Sequence, residues 1–396
     1  MTLSRDRRNV LVLAACQGLF TTGQSMLIIL GGLVGATLAI DKALATLPVS
    51  MVVVGTLVAT VPASLLMKRV GRRPGFLLGA AIGLAGALTA AFAIYIGAFW
   101  LFSFGCFLMG LNGGFGQYFR FAAADVAAPE FKSRAISLVL AGGVAAAVAG
   151  PELVKLTVDA LGPVPFLGAY VALAVLPILS AIFLAFLDIP LPSAAEASEG
   201  GRPLLSIVRR PTFMVAVLGG MVGYGVMSLV MTATPLAMIG CGFGVPDAAL
   251  VIQWHVLAMF APSFVTGSII QRFGVLNVML AGTGLLAACV GVALAGLDIA
   301  HFWIALFALG LGWNFTFVGA STLLTETYRP AERAHVQAAN DFLVFGSVAT
   351  ASLSSGAVLH FFGWNAVQIF ALPFVIIAAL AILWLKRARR LAAPAG

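Results

Sequence analysis

Apolar residues fill long stretches of this chain, and short clusters of Gly, Pro, Arg and Lys separate one stretch from the next. Roughly 20 helical residues, rising about 1.5 Å each, cross a hydrocarbon layer of about 30 Å. Stretches of that length recur at 9–32, 43–66, 74–96, 99–126, 133–156, 165–187, 211–238, 247–271, 275–296, 300–327, 334–359 and 364–386. Strict apolar and polar alternation with a turn about every ten residues would mark a membrane β-barrel, and that pattern is absent. The chain is therefore predicted to be an all-α membrane protein with twelve transmembrane helices. Arg5, Arg7 and Arg8 precede the first stretch, and no small-residue cleavage site separates it from the second. It reads as a retained helix rather than a leader.

Composition agrees and narrows the class. Hydrophobic residues make up 61%, charged residues 9%, and the mean hydropathy is +1.08, values that exclude a soluble globule. The net charge of +8 has a positional explanation. Arg5, Arg7, Arg8, Lys68, Arg69, Arg72, Arg73, Lys132, Arg134, Arg202, Arg209, Arg210, Arg272, Arg329, Arg333 and the run Lys386 to Arg390 all fall on one side of a twelve-span chain. Lys42, Arg120 and Lys155 fall elsewhere. By the positive-inside rule the basic side is cytoplasmic, which places both termini in the cytoplasm and makes the lipid bilayer, not nucleic acid, the partner of these charges.

Residues 188–210 break the apolar pattern with Pro190, Pro192, Ser193, Glu196, Ser198, Glu199, Gly200, Gly201 and Pro203, the composition of a cytoplasmic linker. It divides the chain into two halves of six spans, 1–187 and 211–396. The halves repeat one another: SLLMKRVGRR at 64–73 answers GSIIQRFG at 267–274, and Gly71 answers Gly274. Gly110, Leu111 and Phe115 answer Gly310, Leu311 and Phe315; Asp125 and Pro129 answer Glu326 and Pro330; Arg134 answers Arg333.

Leu66, Arg69, Gly71, Arg72 and Arg73 match the loop signature Gly-x-Leu-Ala-Asp-Arg-x-Gly-Arg-Arg, with Ser64 and Lys68 in place of its Gly and Asp. Over essentially its full length the chain thus resembles the major facilitator superfamily. That resemblance implies the major facilitator fold and transport by alternating access, in which two six-helix halves rock about a central site. Gly71 permits a tight turn, and the arginines of the loop reach acids at neighbouring helix ends. Asp125 is the expected partner of Arg69 or Arg72, and Glu326 that of Arg272, as latches of the gate. Lys68 reverses a charge of the signature, and Asp341 is its expected compensating partner. Arg120 is expected to pair with a carboxylate such as Asp125. Glu152 is a candidate proton-coupling group or a plain interfacial one.

Two pairs at helical spacing carry the candidate cargo chemistry: Met227 with Met231, and His255 with Met259. Each pair shares a helix face, and counting from the turn at Gly242 to Pro246 brings the pairs level in depth. Thioethers and imidazole suit copper, above all Cu(I). Met at helical spacing also arises from packing alone, so spacing leaves both readings open. MSLVM at 227–231 and HVLAM at 255–259 resemble the motifs of the CcoA-type copper importers. This resemblance implies copper import across the bacterial cytoplasmic (inner) membrane for cbb3-type cytochrome oxidase assembly, with copper as transported substrate rather than cofactor, delivered by a small-molecule carrier. Cys241, at the outer end of span seven, is a candidate to hand copper to this site. The alternative cargo is a small organic molecule such as riboflavin or a drug. A copper sensor or oxidase assembly factor is a third class. No phosphate-binding Gly loop, nucleophile-and-base set or HExxH is present, so the sequence predicts no enzyme.

Overall fold

In hydrocarbon a backbone N–H or C=O finds no water, and a helix satisfies both within itself. A computed structural model of the chain describes residues 5–41, 44, 47–189 and 201–392, and among these it shows helices and no strand. The first half holds α1 (Arg5–Leu38), α2 (Leu47–Val70), α3 (Arg72–Ile96), α4 (Phe99–Gly116), α5 (Phe119–Val126), α6 (Lys132–Ala141), α7 (Val144–Thr157) and α8 (Leu167–Leu184). The second holds α9 (Leu204–Val208), α10 (Pro211–Gly240), α11 (Val245–Phe260), α12 (Ser263–Phe273), α13 (Val275–Ala295), α14 (Ile299–Leu324) and α15 (Arg333–Ala392). α15 is interrupted at Gly363, whose φ of 80° lies outside helical space, and so supplies two spans. Among the described residues, 11 helices are long and apolar enough to cross a membrane, and the bent pair α11 and α12 makes up to 12. The twelve-span, all-α expectation is met.

Three spans are broken helices. α4 gives way to α5 at Gln117 and Tyr118, α6 to α7 at Gly142 and Gly143, and α11 to α12 with a 43° bend at Ala261 and Pro262. Pro262 explains the last, because it lacks an N–H and its ring clashes with the preceding turn. Gly142 has a packing reason: a Cβ there would run into the Ala14 carbonyl of α1, and one at Gly18 would lie 2.8 Å from the Gly142 oxygen.

Two compact units are evident. One comprises Met1–Ala127, Leu138–Ser198 and Gln337–Phe342; the other Ala128–Ser137, Glu199–Val336 and Leu343–Gly396. The first has a core in which Phe102 meets Tyr170 edge-on at 5.3 Å, surrounded by Leu30, Ala87 and Cys106. In the second, α14 is the central helix, buried against α10, α11 and α13, and Phe302 meets Trp364 at 5.2 Å. The repeat extends to backbone packing. A Cβ at Gly110 would strike the Val52 carbonyl, and one at Gly310 would lie 2.5 Å from the His255 carbonyl.

Within the expected linker, residues 190–200 lie outside the described residues, as does Lys42. Its ends are anchored. Asp188 accepts from Arg5 at 2.7 Å and from Asn9 through its carbonyl at 2.8 Å, while Arg202 pairs with Glu332 at 2.5 Å.

Candidate functional site

Where the sequence pairs His255 with Met259, the structure shows a junction between α11 and α14. His255 is fully buried, and its Nδ1 lies 2.7 Å from the Leu306 carbonyl. A carbonyl only accepts, so Nδ1 carries the proton and donates. One turn deeper, Asn314 spans the break in the eighth span, its Nδ2 donating to the Met259 carbonyl and the Ser263 hydroxyl, both at 2.6 Å. Thr266 donates to the Asn314 Oδ1 at 2.6 Å and to the Pro262 carbonyl at 2.8 Å. At the break the Met259 carbonyl is thereby taken up by α14, the kind of substitute partner that lets a broken helix survive in a membrane. Met227 and Met259 are buried, Met231 is half-buried, and Cys241 is exposed at the end of α10. α11 lies mainly along α14 rather than α10, so the imidazole is committed to α14 and not to the thioethers of α10. Among the described residues no group of three or more His, Cys, Asp or Glu is placed to hold a metal.

The same unit contains an aromatic cluster. Tyr224 of α10 lies edge-on to Trp313 at 5.5 Å, Phe317 at 5.1 Å and Phe345 at 5.5 Å. Trp313 stacks on Phe317 at 5.0 Å and meets Phe260 edge-on at 5.5 Å. All are buried except Tyr224, which is partly buried. The Trp313 Nε1 is buried with no hydrogen-bond partner. Tyr224 is thus the one ring of this cluster that reaches the surface, and aromatic faces suit flat, apolar-faced molecules. The spacing of Trp313 and Phe317 at i, i+4 was the available sequence signal; Tyr224 and Phe345 had none, because they come from other helices.

In the first unit the charged residues form a buried, balanced network. Arg72 donates to Asp125 at 2.8 Å and to Gln337 at 2.7 Å, as the sequence expects for Asp125. Asp341 is held by Arg120 at 2.6 Å, with side-chain exposures of 0% and 2%, and accepts from Asn340 at 2.7 Å. This corrects one expectation: Lys68 is exposed and does not compensate Asp341. The carboxylate that pairs with Arg120 is Asp341 of α15. A second correction lies in the second unit: Glu326 pairs with Arg389 at 2.8 Å, whereas Arg272 stacks over Phe273 at 5.3 Å. Arg69 is exposed, and Glu152 pairs with Lys155 at 2.7 Å on an exposed helix face.

A cavity of about 50 Å³ opens among α1, α3, α4, α5 and α8 in the first unit. Gln24, Asn112 and Ser180 give it polar edges; Phe20 and Phe119 give it rings.

A family model described as Major Facilitator Superfamily matches residues 13–345 and, overlapping, 228–395. The chain is 42% identical over 393 residues to the riboflavin transporter RfnT of Brucella anthropi, covering 98% of each. Among solved structures, the human organic anion transporter MFSD10 matches with a TM-score of 0.76 at 15% identity, covering 95% of this chain and 99% of that one. The fucose:proton symporter FucP of E. coli matches with a TM-score of 0.73 at 17% identity, covering 95% and 98%. The two structures share the fold alone. The riboflavin transporter overturns the expected partner, since it points to a substrate other than the copper ion. The physical reason the sequence misled is that i, i+4 spacing fixes a helix face but not what that face meets.

Proposed function

We propose that this chain, which belongs to the Major Facilitator Superfamily, carries riboflavin or a closely similar flat heterocycle across the bacterial cytoplasmic membrane by alternating access, with both termini in the cytoplasm. The observation that carries the reading is the Tyr224 cluster: one partly exposed ring backed by the buried rings of Trp313, Phe317 and Phe345. A flavin presents a tricyclic face for stacking on such a ring. The 42% identity to a riboflavin transporter supports the choice of ring system. Met227 and Met231 follow Tyr224 at i+3 and i+7 on one helix face, and in this reading their thioethers offer polarisable packing beside the ring rather than metal ligation. His255 and Met259 act on the site through the α11 and α14 junction. Alternating access implies that Arg72, Asp125, Arg120 and Asp341 remake their pairs between states.

The test is uptake of radiolabelled riboflavin by bacteria that neither make nor import it, with the chain supplied on a plasmid. Uptake above the empty-vector level, reduced at least about tenfold by Tyr224→Ala while Tyr224→Phe retains most of it, is the expected result. Wild-type uptake equal to that of empty cells would refute the reading.

A further inference from the structure

The cavity in the first unit is separate from the aromatic cluster and has its own chemistry. No charged side chain lines it, so its occupant is uncharged. The carboxamides of Gln24 on α1 and Asn112 on α4 face it, and neither makes a side-chain hydrogen bond among the described residues. Asn112 fits there because residue 83 is glycine: a Cβ would lie 2.7 Å from the Asn112 Nδ2. Pro177 removes the N–H that the Leu173 carbonyl would accept in α8, and both residues line the same wall. Phe20 and Phe119 supply ring surfaces. The space holds a few waters, or one ring edge, and not a whole tricycle.

Each carboxamide offers one donor pair and one acceptor. An ordinary sugar hydroxyl uses such groups singly, whereas a cyclic imide presents carbonyl, N–H and carbonyl in one plane. One carboxamide pairs with the N–H and a carbonyl; the second donates to the other carbonyl. We propose that this cavity receives the imide edge of a planar heterocycle, with Gln24 and Asn112 as the residues that read it. This rests on the flavin reading above, since the pyrimidinedione ring of a flavin ends in such an edge.

The experiment compares riboflavin with 3-methylriboflavin, whose imide N–H is replaced by N–CH3, in the same uptake assay. It adds binding of lumichrome, a flavin ring system without the ribityl chain, to the purified full chain by fluorescence quenching. Wild type should prefer riboflavin by about tenfold or more, because methylation leaves buried polar groups unpaired. Gln24→Leu and Asn112→Leu should abolish the preference, losing riboflavin uptake about tenfold while leaving uptake of the methyl analogue within about twofold. Gln24→Met and Asn112→Ser, with size-exclusion profiles matching wild type, guard against misfolding. Riboflavin uptake with equal preference in wild type and folded variants would overturn the inference and leave the transport reading standing. Absent riboflavin uptake, with lumichrome still bound by wild type and released by Gln24→Met, would overturn the transport reading and keep the site. Absence of both uptake and lumichrome binding would overturn both.

Discussion

Replacing Asp341 with Asn is the sharpest perturbation the structure offers, because it removes one charge and almost no volume. Asp341 lies 2.6 Å from Arg120, with exposures of 0% and 2%, so water cannot take over as counterion. Arg120 also donates to the Gln117 carboxamide at 3.1 Å and lies over the Phe121 ring at 4.5 Å. Two unit charges about 4 Å apart attract by about 4 kcal/mol at an effective dielectric constant of about 20. Breaking a buried pair from one side costs about 3–5 kcal/mol for the same reason, since the surviving charge stays desolvated. A loss of that size lowers an unfolding midpoint by on the order of 10 °C. The assay is thermal unfolding of the detergent-purified chain, followed by size exclusion of a fluorescent fusion. The double replacement Arg120→Met with Asp341→Leu removes both charges and should recover at least half of the lost stability, because apolar groups of similar volume replace buried pairs well. Asp341→Asn within about 1 °C of wild type, or a double variant no better than the single one, would refute the claim that this pair is a desolvated two-charge unit.

Three further outcomes follow from the same structure. Gly267→Val should cost about 1–3 kcal/mol and lower the yield of monodisperse protein, because a Cβ at that position would sit 2.6 Å from the Arg134 Cα and 2.7 Å from the Ser133 oxygen. Asn314→Leu should cost about 1–3 kcal/mol in the thermal assay by stranding the Met259 carbonyl and removing the partner of the Ser263 hydroxyl. Glu326→Gln should change stability by about 0–1 kcal/mol, because its pair with Arg389 is 39% and 43% exposed, and a large loss would contradict that surface assignment.

The spans were legible because crossing a bilayer imposes a local rule on each run of about 20 residues, and local rules survive in sequence. The repeat was legible too, down to Asp125 as partner for an arginine of the signature loop. Beyond that pair, side-chain meetings across helices were not. Arg120 meets Asp341, 221 positions later in the chain, and no local spacing rule connects the two. Pro262 likewise was visible, but its consequence was not, since the group that takes up the Met259 carbonyl at the break comes from Asn314, 52 positions later in the chain by simple numbering. The copper expectation failed at the same step: His255 and Met259 share a face, and that face is claimed by α14.

The repeat itself indicates where function has been written. Both halves keep an aromatic contact between their fourth and sixth spans, Phe102 with Tyr170 and Phe302 with Trp364, and both keep a glycine against a carbonyl, Gly110 on Val52 and Gly310 on His255. These are packing devices, and one solution serves twice. The polar residues diverge. Thr56 ties the second span to the Gly110 carbonyl at 3.0 Å, whereas His255 and Asn314 tie the eighth to the tenth. Arg72 follows Gly71 and is buried on Asp125, but Val275 follows Gly274, so Glu326 must find Arg389 at the surface instead. A duplicated scaffold needs only shared packing to fold; an asymmetric substrate needs each half to differ. The Tyr224 cluster belongs to one unit and the cavity edged by Gln24 and Asn112 to the other, so each half carries its own chemistry on a shared packing plan.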